Sequence, residues 1–214
     1  GTVRNSGVEF SIDYKNTFSN NLTLSLGYNV TVIKNEVTAV NNGTGFIEGG
    51  SFGVGQLAPS RMQVGKPMGY FYGYKTNGIF QNQAEVDAAP SQLALGAEAQ
   101  AGDIRYVDIN GDGVINTSDR TEIGSPIAAS TMGFNLQLDY KHFDFVAYTF
   151  ASIGNEIVRN YERTLTDVNH LDYILDRWTG EGTSNTVPRV TTSATSNNVF
   201  SDYFVEDASF VRIQ

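Results

Sequence analysis

Leu22-Thr23-Leu24-Ser25-Leu26-Gly27-Tyr28-Asn29-Val30-Thr31-Val32 alternates without a break, apolar at every even position and small or polar at every odd one. Successive side chains of an extended strand point to opposite faces, so the run predicts a β-strand with one apolar and one wet face. Its length, about eleven residues, is what a tilted strand needs to cross a bilayer. Upstream, Val8, Phe10, Ile12 and Tyr14 alternate with Glu9, Ser11, Asp13 and Lys15, and a short polar link at 16–20 joins the two runs. Downstream, Met132, Phe134, Leu136, Leu138 and Tyr140 alternate with Thr131, Gly133, Asn135, Gln137 and Asp139. The aromatic run Phe143 to Ile153 follows across Lys141 and His142. The expectation is two antiparallel hairpins, over about 8–33 and 131–153, and the start of a further strand at 209–214.

A soluble sheet with one wet face also alternates, but the connections favour another reading. Roughly a hundred residues separate Ile33 from Thr131 and about fifty-five separate Gly154 from Ser209, too long for ordinary loops in a compact domain. Short turns at one end of the strands and long excursions at the other are the asymmetry of an outer-membrane barrel. The predicted class is all-β: antiparallel transmembrane β-barrel strands, forming part of a barrel, with long extracellular loops over 34–130 and 154–208 that contain short helices.

Composition narrows the function. Lys and Arg number 14 against 23 Asp and Glu, for a net charge of −9 over 214 residues. Nucleic acid is excluded as a partner, because phosphate binding needs clustered cations. With no cysteine, and with His142 and His170 far apart, disulfides, thiol catalysis, zinc sites and histidine triads are excluded or disfavoured. No run of about 18 apolar residues exists to form a membrane-spanning helix, which leaves a strand-built membrane protein open. Gly1 opens no basic-then-apolar signal segment.

Within the first excursion, 41–55 is Gly-rich and expected to be irregular. The stretch from Gly69 to Phe80, with Asn77-Gly78 as its turn, suggests a small hairpin. Asn82 with Glu85 three residues on resembles an N-cap box, predicting a short helix over 84–88 that Pro90 stops. In the second excursion Tyr161, Leu165, Val168, Leu171, Leu175 and Trp178 recur at helical spacing.

The sharpest motif is 108–119. Asp108, Asn110, Asp112, Asn116 and Asp119 fall at loop positions 1, 3, 5, 9 and 12, Gly113 sits at 6, and Val114 offers its carbonyl at 7. That is the oxygen spacing of a Ca²⁺ loop, with Asp in place of Glu at the last position shortening one arm. The same side chains could instead bond backbone amides in an Asx-rich turn that holds no ion. Tyr70, Tyr72 and Tyr74 could present flat faces to a sugar ring or peptide side chain, or pack within a hairpin or a membrane-interface girdle. A glycine pattern from Gly53 to Ala58 fits the dinucleotide fingerprint loosely, but Pro59 follows and no βαβ unit surrounds it. No catalytic residue is assigned.

Several separated stretches resemble one family, the SusC/RagA-type TonB-dependent transporters of Bacteroidetes outer membranes. They are Gly69-Tyr70-Phe71-Tyr72-Gly73-Tyr74-Lys75-Thr76-Asn77-Gly78-Ile79-Phe80-Gln81, the 102–116 stretch containing Asp108-Ile109-Asn110-Gly111-Asp112-Gly113, and Asp119-Arg120-Thr121-Glu122-Ile123-Gly124-Ser125-Pro126. The resemblance continues through Gly133-Phe134-Asn135-Leu136-Gln137-Leu138-Asp139-Tyr140, Arg177-Trp178-Thr179-Gly180-Glu181-Gly182 and Phe204-Val205-Glu206-Asp207-Ala208-Ser209-Phe210-Val211-Arg212. It implies the C-terminal part of a large barrel whose plug and TonB-contact segment lie elsewhere. It also implies glycan or peptide import with a SusD-like surface lipoprotein, energised through TonB. On that reading apolar strand faces meet outer-membrane lipid, and Glu9, Asp13, Asn21, Thr23, Asn135, Gln137 and Asp139 face a wet lumen. The rival readings are a soluble, secreted β-rich carbohydrate-binding or adhesion domain with a calcium loop, and a polysaccharide-degrading enzyme.

Overall fold

The computed structural model describes residues 1–18, 21–53, 56–160 and 171–214. Its strands, in chain order, are β1 (Thr2–Thr17), β2 (Leu22–Ala39), β3 (Phe46–Gly49), β4 (Ser60–Gln63), β5 (Tyr70–Gly73), β6 (Thr76–Ile79) and β7 (Ile104–Tyr106). There follow β8 (Thr121–Gly124), β9 (Ser130–Tyr140), β10 (Phe143–Ile153), β11 (Glu156–Val158), β12 (Val205–Asp207) and β13 (Phe210–Ile213). Five of them build one open antiparallel sheet in the order β1-β2-β9-β10-β13. The alternating runs are its strands, β2 follows β1 after a four-residue link, and a tight turn joins β9 to β10.

Register lines up the apolar faces. Ile12 pairs with Tyr28, Tyr28 with Phe134 and Phe134 with Thr149, while Tyr14, Leu26, Leu136 and Ala147 form the neighbouring row. The other face carries Asp13 beside Gly27, Asn135 and Tyr148. Among the described residues nothing covers the apolar side: Phe10 is 54% exposed, Phe143 77% and Val8 71%. A strip of large apolar side chains this wide, carried on a hydrogen-bonded sheet, is built to meet an apolar phase. The 11 residues of β9 and β10 reach about 36 Å along the strand, and tilted by about 45° they span about 25 Å, the height of a barrel's apolar band.

Two boundaries differ from expectation. β2 does not stop near Ile33 but runs to Ala39, because pairing outlasts apolarity. Arg4 faces Glu36, and Asn35 Nδ2 donates to Asn5 Oδ1 at 2.6 Å. On its free edge, the Val37 N–H donates to the Lys66 carbonyl and the Gly65 N–H to the Val37 carbonyl. Nor does the stretch 69–80 form a hairpin. β5 lies between β4 and β8, while β6 pairs with β7, and Asn77-Gly78 sits inside β6, where Gly78 at φ 74° makes an irregularity instead of a turn. The stretch 41–55 contains β3. A helix, α1 (Gln83–Asp87), occupies the expected short-helix position, with the Asn82 side chain accepting from the Glu85 N–H. Of the helical stripe through 161–178, residues 161–170 lie outside the described residues, and the remainder is a 3₁₀ turn, Asp172–Asp176, that ends before Trp178.

The excursions, residues 40–129 and 154–209, fold onto one another. Phe52 and Phe71 from the first pack with Phe200 and Phe204 from the second. Tyr74, Ile104, Tyr106 and Ile115 form a second cluster that Val199 joins. Between them Asp103, fully buried, receives Arg189 through two hydrogen bonds at 2.7 and 3.1 Å, Asn197 at 2.9 Å and Thr195 at 3.2 Å. Gly102, at φ 89°, lets the Trp178 ring lie against the backbone where any side chain would collide. Breaking a buried ion pair strands the remaining charge, so Arg189→Ala should cost about 3–5 kcal/mol. Limited proteolysis should then cut 185–200 faster while the sheet's amide I infrared band stays unchanged.

Candidate functional site

The packed excursions form a cap at one end of the sheet, and every residue singled out by sequence for metal or substrate lies in it. The 108–119 loop is closed by its own side chains. Asp108 accepts from the Gly111 and Gly113 N–H groups at 2.7 and 2.8 Å, Asn110 from Asp112 at 2.9 Å, Asp112 from Val114 at 2.9 Å and Asn116 from Ser118 at 2.8 Å. Asp119 is fully buried beneath the loop. Its carboxylate accepts from the Ile109 N–H at 2.9 Å, Asn110 at 3.3 Å and Asn116 at 2.8 Å. Asp119 thus acts as an internal bracket, not as an arm reaching toward the loop's rim. Ile115, with no exposed surface, anchors the loop in the aromatic cluster, and its N–H donates to the Ser91 carbonyl at 2.8 Å. Among the described residues no three acidic or histidine side chains gather around one point, and the loop's own hydrogen bonds are those of an Asx-rich turn.

Tyr70, Tyr72 and Tyr74 do not form a stacking platform. Tyr70 and Tyr74 are 1% and 3% exposed: Tyr70 opens β5, an inner strand of its small sheet, and Tyr74, just past β5, packs with Ile104, Tyr106 and Ile115. The Tyr70 hydroxyl donates to Gln63 at 2.8 Å, and burial raises the pKa of both phenols. Tyr72 is held by cations: the Arg61 guanidinium lies 3.6 Å from its ring centre and that of Arg120 lies 4.6 Å away. Glu48 is the shared counter-ion, 2.7 Å from Arg61 and 3.6 Å from Arg120. Desolvation lowers the pKa of Arg120, whose Nη2 also donates to the Ala58 and Tyr72 carbonyls. Cation–aromatic contacts of this kind brace the ring against its neighbours.

The open space lies elsewhere. Two adjoining clefts of about 490 and 440 Å³ share Ile79 and Asn185 in their walls. Thr76, Val187 and Tyr203 line the first, and Gln81, Arg105 and Glu181 the second. Sequence reasoning assigned these residues no site role: Thr76, Ile79, Gln81, Arg105 and Glu181 fall in stretches that carry the family resemblance but no chemical motif, and the short stretch 184–187 carries no signal beyond polarity. The polar sheet face holds a further departure. Tyr148 and Phe150 interrupt its amide and hydroxyl side chains, and Phe150 meets Phe210 at 5.8 Å between ring centres.

No protein-family model matches the chain. Among curated proteins it is 31% identical over 220 residues to the TonB-dependent receptor P3 of Formosa agariphila, with 100% of this chain aligned. It is 27% identical over 217 residues to the TonB-dependent receptor SusC of Bacteroides thetaiotaomicron, with 99% aligned. The chain spans about a fifth of the length of these relatives, 21% and 20%. Among solved structures it matches the RagAB peptide transporter with a TM-score of 0.72 and 18% identity, over 99% of this chain and 22% of that one. The RagAB peptide importer in its open-open state gives 0.70 and 19%. These structural likenesses establish the fold: a section of such a receptor's sheet with its attached loops.

The bracket role of Asp119 is testable by hydrogen exchange. Asp119→Ala leaves three amides without their acceptor, at a cost of about 3 kcal/mol. Exchange at Ile109, Asn110 and Asn116 should quicken together, whereas Asp112→Ala, at the exposed rim, should leave those three protected.

Proposed function

We propose, for a chain that is a segment of the SusC type of TonB-dependent receptor, that it forms one side of the barrel and part of the external cap of an outer-membrane transporter. The observation that carries this is the sheet itself: one face is a continuous, uncovered apolar band of barrel height, and the other is mostly polar. A soluble adhesion domain with the same strands would have to cover that band with a second layer, and the cap packs at the end of the strands instead. Both excursions leave the sheet at its same end, which supports their covering one mouth of a lumen; the external side is proposed for them because outer-membrane barrels carry short turns on the periplasmic side and long loops outside. No residue is assigned a catalytic role, in keeping with relatives that are receptors and transporters.

The cargo we propose is an oligosaccharide or a peptide, delivered with a SusD-like lipoprotein and energised by TonB contacts in other parts of the receptor. The peptide alternative draws on RagAB, a peptide transporter, and the glycan alternative on the resemblance to SusC. Calcium at Asp108, Asn110, Asp112, the Val114 carbonyl and Asn116 is a separate proposal that rests on oxygen spacing alone. In the observed arrangement the four side chains already accept backbone amides and the Val114 carbonyl accepts from the Asn116 side chain, so an ion would add to a closed loop and not create it. Calorimetric titration of the whole receptor with Ca²⁺, repeated with Asp112→Ala, tests it. Unchanged loop proteolysis with and without chelator removes the structural-ion role.

The decisive test of the barrel reading is fractionation of the native protein. A species several times 23.3 kDa in the outer-membrane fraction is expected, and a soluble species of that mass would overturn the assignment. A paired substitution reads the same geometry. Leu26→Arg, near the middle of the lipid face, should destabilise the folded barrel in vesicles by about 2–4 kcal/mol. Ser25→Arg, one residue away on the polar face, should leave folding nearly unchanged.

A further inference from the structure

The lipid-side face does not end at its last apolar row. Above Val8 and Val32, the register sets Ser6 opposite Lys34 and Arg4 opposite Glu36 on that same face. Arg4 Nη2 and Lys34 Nζ both reach Glu36 Oε2, at 3.1 and 3.7 Å, while the two cationic side chains stay 64% and 76% exposed. One carboxylate oxygen therefore serves two cations, leaving this corner positive in a chain whose net charge is −9.

Height and direction say what the excess charge meets. At about 3.3 Å per residue, Lys34 stands about 7 Å along the strand beyond Val32, and Arg4 about 13 Å beyond Val8. A tilt of about 45° puts both about 5–9 Å above the apolar band, within the headgroup layer. The inward face at that height is occupied: the Met68 N–H donates to Asn35 Oδ1 at 2.7 Å, and Val37 is 2% exposed. The two cations therefore project away from the cap, over the lipid side.

We propose that Arg4 and Lys34 dock phosphate-bearing lipid headgroups in the leaflet on the excursion side, with Glu36 as the internal competitor that limits their affinity. The inference rests on the outer-membrane reading. Phosphate charge complements the shared-carboxylate triad, and an approaching headgroup takes over the donors that Glu36 now holds.

The test uses the full-length receptor in neutral detergent, offered phosphatidylglycerol and phosphatidylcholine in equal amounts, with bound lipids counted by native mass spectrometry. Wild type should retain phosphatidylglycerol preferentially. Arg4→Gln and Lys34→Gln should each lower that retention about fivefold, and Glu36→Gln should raise it, while phosphatidylcholine retention stays constant throughout. Lys75→Gln, an exposed cation of the cap, should change nothing. Equal phosphatidylglycerol retention by wild type and the Arg4/Lys34 double variant would overturn the proposal. So would displacement of the lipid by millimolar inorganic phosphate, which would mark a free-anion site. A receptor that retains neither lipid would overturn the membrane reading along with this one, a result distinct from loss of headgroup preference alone.

Discussion

The cap depends on one buried carboxylate. Asp103 belongs to the first excursion, and the side chains that satisfy it, Arg189, Thr195 and Asn197, all come from the second. An isolated charge with no exposure is costly enough that Asp103 cannot be buried until those partners arrive. The hairpin of β9 and β10 lies between the two excursions in sequence, so the contact also joins segments that local folding alone would leave apart. The apolar clusters repeat this division, each drawing on both excursions. The Asx loop, the Tyr72 stack and the clefts are therefore features of a joint unit, which neither excursion builds alone.

The sheet obeys a different rule. It has no core of its own among the described residues, and its strands are fixed by backbone ladders and by a register that keeps apolar side chains on one side and mostly polar ones on the other. In an apolar medium every strand N–H and carbonyl has to be paired, which explains why the register runs unbroken from Leu22↔Tyr140 to Val32↔Ser130. Polar side chains on the inner face tolerate exposure, and glycines there make room. A Cβ at Gly27 would stand 2.9 Å from the Asp13 carboxylate, and one at Gly133 would stand 2.7 Å from the Asn29 amide. The inner surface is flattened where these side chains lie across the glycines.

This difference explains what sequence could and could not show. Strands that face lipid on one side and water on the other write their geometry directly into a period of two, so β1, β2, β9 and β10 were legible. β2 was read short because its upper part, from Lys34 on, pairs through polar residues and lacks the apolar signal. In the cap each strand is only three or four residues long, too short for periodicity, and its partners are distant in sequence. Asn77-Gly78 has turn chemistry but sits within β6, whose next residue, Ile79, donates its N–H to Asn185 of the other excursion. The acidic loop was legible as an oxygen-rich turn. That its final Asp119 points inward depends on amides at 109, 110 and 116, which spacing does not reveal. The tyrosine cluster left two readings open for a related reason: aromatic richness marks a surface platform and a packed interior equally well.

The junction between the two parts follows from the extra length of β2. Beyond Val32 its outer edge no longer pairs with β9, and the first excursion takes over that edge through Ile33 with Ala129 and Val37 with Gly65 and Lys66. On the far side β11 and β12 form a short ladder that closes the second excursion just above β10 and β13. The first flank is thus tied to the sheet by backbone hydrogen bonds, whereas the ladder at the second joins cap strand to cap strand. A displacement of the whole cap would have to break the bonds made by Ile33 and Val37, while a movement that parts the two excursions would have to expose Asp103. Opening of a cleft is accordingly confined to segments outside these ties, such as 181–187, whose contacts with Gln81 and Ile79 are made mainly through exposed or half-exposed polar groups.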